Sequence, residues 1–241
     1  MARTRIKKIE DVKSQKIDFS KNKICCIIGK TSDEQTQYIN LLYNEFKKDK
    51  EVAYLSEDCM DNMFSINIKE DIKYSLNGKK KTNDIFDMLK LFNLDEMIFK
   101  KNYLELSNGE KKKICIISIL LKNSNIILMD RPDSYLDDKI IQSLIKILKR
   151  LNKEKVIIIS SNNINFILQI SEKVVVINKT KVIECDDKFN ILNNEAIMNR
   201  IGFSIPFVVE FENRVKKIKN IRLVQRDNVN DLLKDIYRNV K

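Results

Sequence analysis

Residues 104–137 read LELSNGEKKKICIISILLKNSNIILMDRPDSYLD, and this stretch decides the fold. A polar turn at residues 106–110 opens a segment that is first basic and then apolar, which predicts a helix over residues 111–122. Four apolar residues then end at Asp130, the pattern of a buried parallel strand with a carboxylate at its C-terminal edge. Ligands of open α/β sheets bind at that edge, and backbone N–H groups at a helix N-terminus can hold phosphate. The stretch therefore predicts an α/β fold with an anion-binding edge.

The composition is that of a soluble globular protein. The 241 residues suffice for one large α/β core and a small appendage, and 43% of them are hydrophobic and 33% charged. No apolar run approaches the roughly 20 residues needed to span a bilayer, and we expect no signal peptide because the first residues lack an apolar region. The five cysteines are odd in number and lack CxxC spacing, so we expect reduced thiols in the cytosol.

A net charge of +11 could indicate a nucleic-acid or anionic-membrane partner. The lysines, however, are spread along the chain among isoleucines and asparagines, without the interleaved aromatic residues that stack on bases. We therefore expect no nucleic-acid partner and attribute the charge to biased amino-acid usage. The charge would help a peripheral position on an anionic membrane face.

A second apolar run, at residues 24–28, ends at Gly29 and is followed by apolar residues at helical spacing up to residue 48. Strand, glycine, loop and helix form the frame of a phosphate-binding P-loop, Gly-x-x-x-x-Gly-Lys-Ser/Thr. From Gly29 the chain reads GKTSDEQT, so the first glycine is present and Thr36 supplies the hydroxyl. Glu34 replaces the second glycine and Gln35 replaces the lysine. The remaining loop positions are Lys30, Thr31, Ser32 and Asp33.

These two replacements predict poor phosphate binding. A carboxylate about 5 Å from a phosphate charge repels it by roughly 3 kcal/mol at an effective dielectric of about 20. Loss of the lysine removes a charge-assisted contact of about 1.5–3 kcal/mol. Together the changes at Glu34 and Gln35 should weaken nucleotide binding by roughly a thousandfold.

With the loop, the turn and the strand in this order, the chain resembles the ABC-type ATPases: LSNGE corresponds to the LSGGQ signature, IILMD to the Walker B strand and SYLD to the D-loop. The resemblance implies a P-loop NTPase fold of ABC type, with a mostly parallel central sheet and a helical subdomain, and it implies ATP and Mg²⁺ as cofactors. The D-loop aspartate is Asp137, and Mg²⁺, if bound, would be held by Thr36 and Asp130. The signature positions are Leu106, Ser107, Asn108, Gly109 and Glu110.

Residues 52–76, VAYLSEDCMDNMFSINIKEDIKYSL, resemble the Q-loop region of the ATPase subunits of energy-coupling factor (ECF) vitamin and metal importers. Glu57 stands where the family has a glutamine that reaches Mg²⁺ and the attacking water. The resemblance implies that a transmembrane coupling subunit docks near residues 61–64, beside a substrate-binding membrane subunit, at the cytoplasmic face of the membrane. Residues 201–218 and a last helix over 229–237 resemble the C-terminal tail that supports dimer contacts in this family.

The expected organisation is an ABC ATPase-like nucleotide-binding domain over residues 1–190, with a helical subdomain at about 57–123, and a dimerisation tail over residues 191–241. Residues 5–12 and 17–19 could form short edge strands before the first core strand. Strands at residues 174–177 and 182–185 should form a terminal hairpin.

The departures from the family pattern are not scattered. Arg131 stands at the position of the catalytic glutamate, and Ser161 stands at the switch histidine in a chain without any histidine. With the changes in the P-loop and at Glu57, they fall on the residues that serve the nucleotide bound by this chain itself, which we call the own nucleotide face. The signature turn (residues 106–110) and the D-loop, which serve the nucleotide of a partner in a head-to-tail dimer, are largely kept.

We therefore interpret the chain as the degenerate half of an ATPase heterodimer, whose binding of ATP and Mg²⁺ at its own face is weak or lost and which completes the site of an active partner. A second hypothesis is a slow but genuine Mg-ATPase, in which Thr36, Asp130 and Glu57 hold the metal ion. A third is a basic pseudo-ATPase that has left transport and binds nucleic acid or another partner.

Overall fold

The computed structural model describes residues 17–48, 51–76, 82–122, 124–219 and 223–239. Within these residues one six-stranded sheet has the order β2-β3-β4-β1-β5-β6. The strands are β1 (Cys25–Gly29), β2 (Val52–Leu55), β3 (Ile126–Asp130), β4 (Val156–Ser160), β5 (Lys173–Asn178) and β6 (Lys181–Asp187). The helices are α1 (Ser32–Phe46), α2 (Ile68–Leu76), α3 (Thr82–Leu91), α4 (Asn108–Leu121), α5 (Asp138–Leu151), α6 (Ile164–Ile170), α7 (Lys188–Leu192), α8 (Glu195–Ile201), α9 (Phe207–Lys219) and α10 (Val229–Asn239).

The first five strands of that order are parallel, and only β6 runs antiparallel, in a hairpin with β5 as the sequence predicts. The strands β1, β3 and β4 are wholly buried because helices cover both faces of the sheet. Their pairing aligns Asp130 with Ser160 and brings Gly29 to the same C-terminal edge. This edge carries the candidate site.

The two faces of the sheet pack against different helices. One face packs Ile27, Leu128 and Ile158 against α1, through buried residues such as Ile39 and Leu42. The alternate residues of the same strands face α4, α5 and α6 in the larger core cluster. This is the alternation expected of strands sandwiched between two helix layers.

A helical subdomain lies between β2 and β3 and is built from α2, α3, α4 and short 3₁₀ helices. One of these is a 3₁₀ helix at Glu96–Lys100. The buried Tyr103 hydroxyl donates to Asp71 Oδ2 over 2.9 Å, and Asp71 Oδ1 accepts from the backbone N–H of Phe64 over 2.7 Å. These two bonds fix the segment after β2 against α2.

Ion pairs hold the C-terminal segment to the core and also join parts of that segment to each other. Lys188 Nζ lies 2.6 Å from Asp227 Oδ1, and Arg226 forms a two-pronged ion pair with the buried Asp235. Leu232 of α10 is 2% exposed and joins the larger core cluster. In the described part of the chain, no helix is long and apolar enough to cross a membrane.

The sequence predicted two early edge strands, at residues 5–12 and at residues 17–19. Residues 5–12 lie outside the described residues. Residues 17–19 do not form a strand, and that prediction was wrong. Ile17 and Phe19 are buried instead, and the Phe19 ring meets that of Phe46 edge-on at 6.2 Å. The apolar alternation reflected packing against α1 rather than strand pairing.

Candidate functional site

The phosphate-loop segment carries its own carboxylate. Thr31 caps the N-terminus of α1, its hydroxyl accepting from the N–H of Glu34 over 3.3 Å. A Cβ added to Gly29 would lie 2.8 Å from the Ile177 side chain and 3.5 Å from Glu34 Oε2, so the Glu34 side chain folds back toward the start of the loop. Glu34 Oε2 is buried and accepts no hydrogen bond from any residue that the structure describes. Lys30, Thr31 and Asp33 are exposed at the loop surface.

Gln35, at the lysine position, is fully buried and bonded inward. Its side-chain amide donates to Asn162 Oδ1 over 2.7 Å and to the carbonyl of Gly29 over 3.4 Å. Asn162 in turn donates to the hydroxyl of Ser32 over 2.7 Å. A neutral network therefore ties the loop to the segment after β4, where a phosphate-binding loop would present an ammonium group.

Asp130 lies at the end of β3 and is completely buried. Its Oδ2 accepts from the Thr36 hydroxyl over 2.6 Å, and its Oδ1 accepts from the Ser160 hydroxyl. Burial raises the pKa of Asp130, while the two hydroxyl donors oppose that rise. The structure thus brings together Thr36 and Asp130, the two residues that the sequence assigns to Mg²⁺.

Arg131 follows with a left-handed backbone, φ 44°, uncommon for a residue with a side chain. Its backbone N–H donates to the carbonyl of Ser160 over 3.1 Å, which fixes the turn. Its guanidinium forms an ion pair with the carboxylate of Glu57, and its Nε lies 3.9 Å from Asp130 Oδ1. Arg131 and Glu57 are thus adjacent, as befits residues at the ends of neighbouring strands.

Lys112 is a site residue that the sequence reasoning missed. It lies in α4, is completely buried, and its ammonium is 3.4 Å from the carbonyl oxygens of both Glu57 and Asp130. Desolvation lowers the pKa of Lys112, and the nearby Cys59, Cys115 and Asp130 oppose this. The sequence did indicate that Lys112 is buried, because it precedes the apolar Cys115 and Ile116 by three and four residues and so shares their helix face.

Ser161, at the switch position, is buried and accepts from the N–H of Asn163 over 3.0 Å. Burial raises the pKa of the Asp133 carboxyl, and Ser161 opposes the rise. A hydroxyl cannot carry a proton on and off near neutral pH as an imidazole does. The position therefore has a structural hydrogen bond and no titrating group of the histidine type.

The signature turn forms the N-terminus of α4, which begins three residues earlier than the sequence predicted. Ser107 Oγ accepts from the N–H of Glu110 over 3.2 Å, and Glu110 Oε2 accepts from the N–H of Ser107 over 2.9 Å, a complete capping box. The bond from the Ser107 backbone lowers the pKa of Glu110. Leu106 is buried below, and Asn108 is exposed.

The D-loop lies beside this turn. A Cβ added to Gly109 would lie 3.0 Å from the carbonyl oxygen of Tyr135, so glycine permits the close approach. Asp137 caps α5, accepting from the N–H of Ile140 over 3.0 Å. A cavity of about 440 Å³ lies between the own nucleotide face and the signature turn. Its lining includes Thr36, Glu57, Asn108, Lys111 and Tyr135.

The donors offer a mixed fit for Mg²⁺. The Thr36 hydroxyl lies 2.6 Å from Asp130 Oδ2 and 3.4 Å from Glu57 Oε2, an oxygen set that suits a hard cation. The guanidinium of Arg131 and the ammonium of Lys112 already supply positive charge at that position. In the described ranges, no cluster of three or more Asp, Glu, Cys or His side chains is arranged to hold a metal ion. The loop itself does not fit a triphosphate, since Glu34 and Gln35 replace the groups that would hold it.

Comparison with known proteins agrees with this geometry. The family model described as ABC transporter matches residues 13–134. The chain is 27% identical to the energy-coupling factor transporter ATP-binding protein EcfA2 of Mycoplasma capricolum, over 87% of this chain and 86% of that protein. It is 23% identical to EcfA3 of Oenococcus oeni, over 78% and 68% of the two chains.

Solved structures share the fold. A dimeric bacterial ABC transporter cassette, MJ0796, matches with a TM-score of 0.60 at 18% identity, over 71% of this chain and 88% of that chain. The protein cbiO1 from Clostridium perfringens, part of the ABC transporter complex cbiONQ, matches with a TM-score of 0.58 at 16% identity, over 86% and 91%. The chain belongs to the ABC transporter family, as an ATPase cassette similar to the ATP-binding proteins of energy-coupling factor transporters.

Proposed function

We propose that this chain is the catalytically degenerate half of an ATPase heterodimer in an ECF-type membrane importer. It binds ATP and Mg²⁺ weakly or not at all at its own nucleotide face, and its signature turn completes the active site of a competent ATPase partner. The observation that carries the proposal is the contrast between these two surfaces of one chain. The own nucleotide face is filled by its own side chains, whereas the signature turn is intact and exposed.

The own nucleotide face disfavours both the binding of ATP and its hydrolysis. Glu34 directs a carboxylate into the loop where phosphate oxygens would lie, and Gln35 is held by Asn162. At the catalytic glutamate position, Arg131 is an obligate cation paired with Glu57. Loss of a general base lowers the rate by about 10²–10⁴-fold. Weak binding and slow chemistry therefore combine at this face.

The signature turn, in contrast, keeps what its role requires. The first N–H groups of α4 have no partner within the helix, and the positive end of the helix dipole favours an anion there. The Ser107 side chain is held at the helix N-terminus by its bonds with Glu110, and the adjacent Asn108 is exposed. Phosphate groups of ATP held by another subunit could bind to these donors.

The partners follow from the ECF-type assignment. They are a second ABC ATPase subunit, a transmembrane coupling subunit that docks near residues 61–64, and a substrate-binding membrane subunit. The exposed Phe64 ring, stacked on Tyr74 at 3.7 Å, supports a docking role for that segment. We place the chain at the cytoplasmic face of the membrane, with residues 1–190 as the nucleotide-binding domain and residues 191–241 as the dimerisation tail.

The test is ATP hydrolysis by the chain co-purified with an active ECF-type ATPase subunit. Ser107→Arg places a bulky cation in the partner's site and should abolish hydrolysis by the pair. Because Ser107 also caps α4, the variant loses about 1 kcal/mol of stability. Asn194→Arg is the matched control, since Asn194 caps α8 in the same way. Unchanged hydrolysis with Ser107→Arg would refute the trans-acting signature.

One observation favours the second candidate, a slow Mg-ATPase. Carboxylate oxygens of Asp130 and Glu57 both lie within hydrogen-bonding reach of the Thr36 hydroxyl. If the isolated chain hydrolyses ATP and loses that activity on Asp130→Asn, this candidate replaces the first. If the isolated chain is inactive and the pair is active, the degenerate-half proposal stands.

A further inference from the structure

A single buried carboxyl group receives hydrogen bonds from three separate parts of the helical subdomain. Asp71 lies in α2 and is 2% exposed. Its Oδ1 accepts from the backbone N–H of Phe64 over 2.7 Å and from that of Ser65 over 3.4 Å. Its Oδ2 accepts from the hydroxyl of Tyr103 over 2.9 Å and from that of Ser118 over 3.4 Å. A buried polar group is costly unless it is hydrogen-bonded, so the folded chain is most stable when all three parts stay on this carboxyl.

Two of these parts lead to the signature turn. Tyr103 begins the 3₁₀ helix Tyr103–Glu105, and its carbonyl accepts from the N–H of Leu106, the first residue of the turn, over 3.2 Å. Ser118 belongs to α4, the helix whose N-terminus is the turn itself. The turn is therefore attached to Asp71 both through the residues before it and through the helix after it.

The third part is the segment after β2 (residues 61–67), which contains the residues where we place the docking of the coupling subunit. The backbone N–H of Tyr103 donates to the carbonyl of Ile66 over 3.2 Å, and Asn67 and Asn102 form an isolated antiparallel bridge. These backbone contacts bring the segment alongside the residues that precede the signature turn. The bond between Asp71 and Tyr103 joins residues 32 positions apart, so chain connectivity alone does not supply this link.

We propose that Asp71 is a positioning residue that makes the segment after β2 and the signature turn move as one body. The physical basis is that a buried network of satisfied polar groups is rigid. A membrane subunit that displaces residues 61–64 then also displaces Ser107 relative to the nucleotide of the partner ATPase. The roles of the two ends rest on the proposed function, whereas the link between them is a property of this chain alone.

Three variants separate the hydrogen bonds from the packing. Tyr103→Phe keeps the ring, which is completely buried, and removes only the hydroxyl that reaches Asp71. Asp71→Leu removes both acceptor oxygens at once. Asp71→Asn is the conservative variant, because its oxygen still accepts from the N–H of Phe64. Its amide donates to the hydroxyl of Tyr103, which has lone pairs to accept the bond.

Hydrogen exchange of the full chain, without any partner, tests the link. In Tyr103→Phe the amides of residues 64–65 and of residues 106–110 should both exchange at least about fivefold faster, because a bond that keeps the unit closed is lost. The amides of α5 are the reference for global stability, and both segments should accelerate beyond them. Asp71→Leu should reproduce the effect, and Asp71→Asn should retain most of the wild-type protection.

Tyr38→Phe is the matched control. Tyr38 is 2% exposed, lies in α1 and belongs to the core cluster on the other face of the sheet. Its loss of a hydroxyl should change the exchange of neither segment.

ATP hydrolysis by the assembled complex tests what the link does. With the active ATPase partner present, Tyr103→Phe should reduce the stimulation of kcat by the coupling subunit at least about threefold, and Tyr38→Phe should preserve it. A merely structural defect would lower hydrolysis equally with and without the coupling subunit.

The proposal is overturned if residues 64–65 exchange faster while residues 106–110 keep the wild-type rate, or if the stimulation survives Tyr103→Phe. A folding defect in Asp71→Leu would not obscure the result, since Tyr103→Phe and Asp71→Asn carry the test. Failure of the proposed function looks different. If Ser107→Arg leaves hydrolysis by the pair unchanged but both segments still respond together to Tyr103→Phe, the proposed function fails and the link stands.

Discussion

The guanidinium of Arg131, at the end of β3, forms an ion pair with the carboxylate of Glu57, just beyond the end of β2. Both residues replace catalytic groups of the ABC family, and the pairing of β2 with β3 makes them neighbours. A fixed cation therefore lies beside Asp130, with Nε 3.9 Å from Oδ1. We propose that the two departures from the family pattern act as one feature, in which an internal ion pair takes the place of metal-assisted chemistry.

Removing this cation should expose the metal-binding potential of the oxygens beside it. In Arg131→Gln, the carboxylates of Glu57 and Asp130 lose their paired charge, so we expect Mg²⁺ to bind. The thermal unfolding midpoint should then rise with millimolar Mg²⁺, by the equivalent of about 1.4 kcal/mol at ten times the dissociation constant. The wild type should respond little. Arg150→Gln, in the last turn of α5, removes an equal charge as the control. Equal responses in all three proteins would contradict the interpretation.

The P-loop can be tested by restoration. Glu34→Gly with Gln35→Lys recreates the glycine and lysine of a phosphate-binding loop, and it removes both the buried carboxylate oxygen and the bond to Asn162. We expect the affinity for ATP to rise by roughly a thousandfold, as measured by calorimetric titration. Glu34→Gln, which removes the charge alone, should recover only part of this gain. If the double variant binds no better than wild type, another part of the own nucleotide face prevents binding.

Much of the fold could be predicted because it depends on local patterns. The apolar runs ending at Gly29 and Asp130 and the hairpin of β5 with β6 were confirmed within one or two residues. The burial of strands in parallel sheets makes such runs distinctive. The strand predicted at residues 17–19 was wrong because apolar alternation alone does not distinguish strand pairing from packing against a helix.

The contacts of the site were harder to predict because they join distant parts of the chain. No local pattern in the sequence indicated that Arg131 would pair with Glu57, which follows another strand. Likewise, helical spacing indicates that Lys112 lies on a buried helix face, but not that its ammonium reaches the ends of β2 and β3. The side-chain rotamers that decide such contacts depend on the assembled core.

Lys112 should make stability depend on pH. Desolvation lowers its folded-state pKa below the ordinary value of about 10.4. Between those two values the unfolded chain binds more protons than the folded chain, so stability rises with pH, by at most about 1.4 kcal/mol per pH unit for one proton. In Lys112→Met this contribution is absent.

Urea unfolding between pH 7 and 10.5 tests this expectation. The stability of wild type relative to Lys112→Met should increase as the pH rises. Lys113→Met, on the half-buried flank of the same helix, removes an equal charge as the control. A wild-type advantage that is flat or falls with pH would show that the buried ammonium is stabilised rather than strained by its surroundings.

The last prediction concerns residues 61–64, where we propose that the coupling subunit docks. Phe64 is 65% exposed and its ring stacks on Tyr74, while its backbone N–H is held by Asp71, which Tyr103 holds in turn. An exposed aromatic residue on a fixed backbone can contribute strongly to an interface at little entropic cost. Phe64→Arg should therefore weaken co-purification with the transmembrane coupling subunit at least about tenfold, while changing the free energy of unfolding by less than about 0.5 kcal/mol.

Leu41→Arg is the control for that experiment, since Leu41 is also exposed, at 46%, but belongs to α1 and not to this segment. It should leave the assembly intact. If both variants assemble as the wild type does, the coupling subunit docks elsewhere. If both lose assembly equally, the added charge on a basic chain is responsible, and the Phe64–Tyr74 pair has no special part in docking.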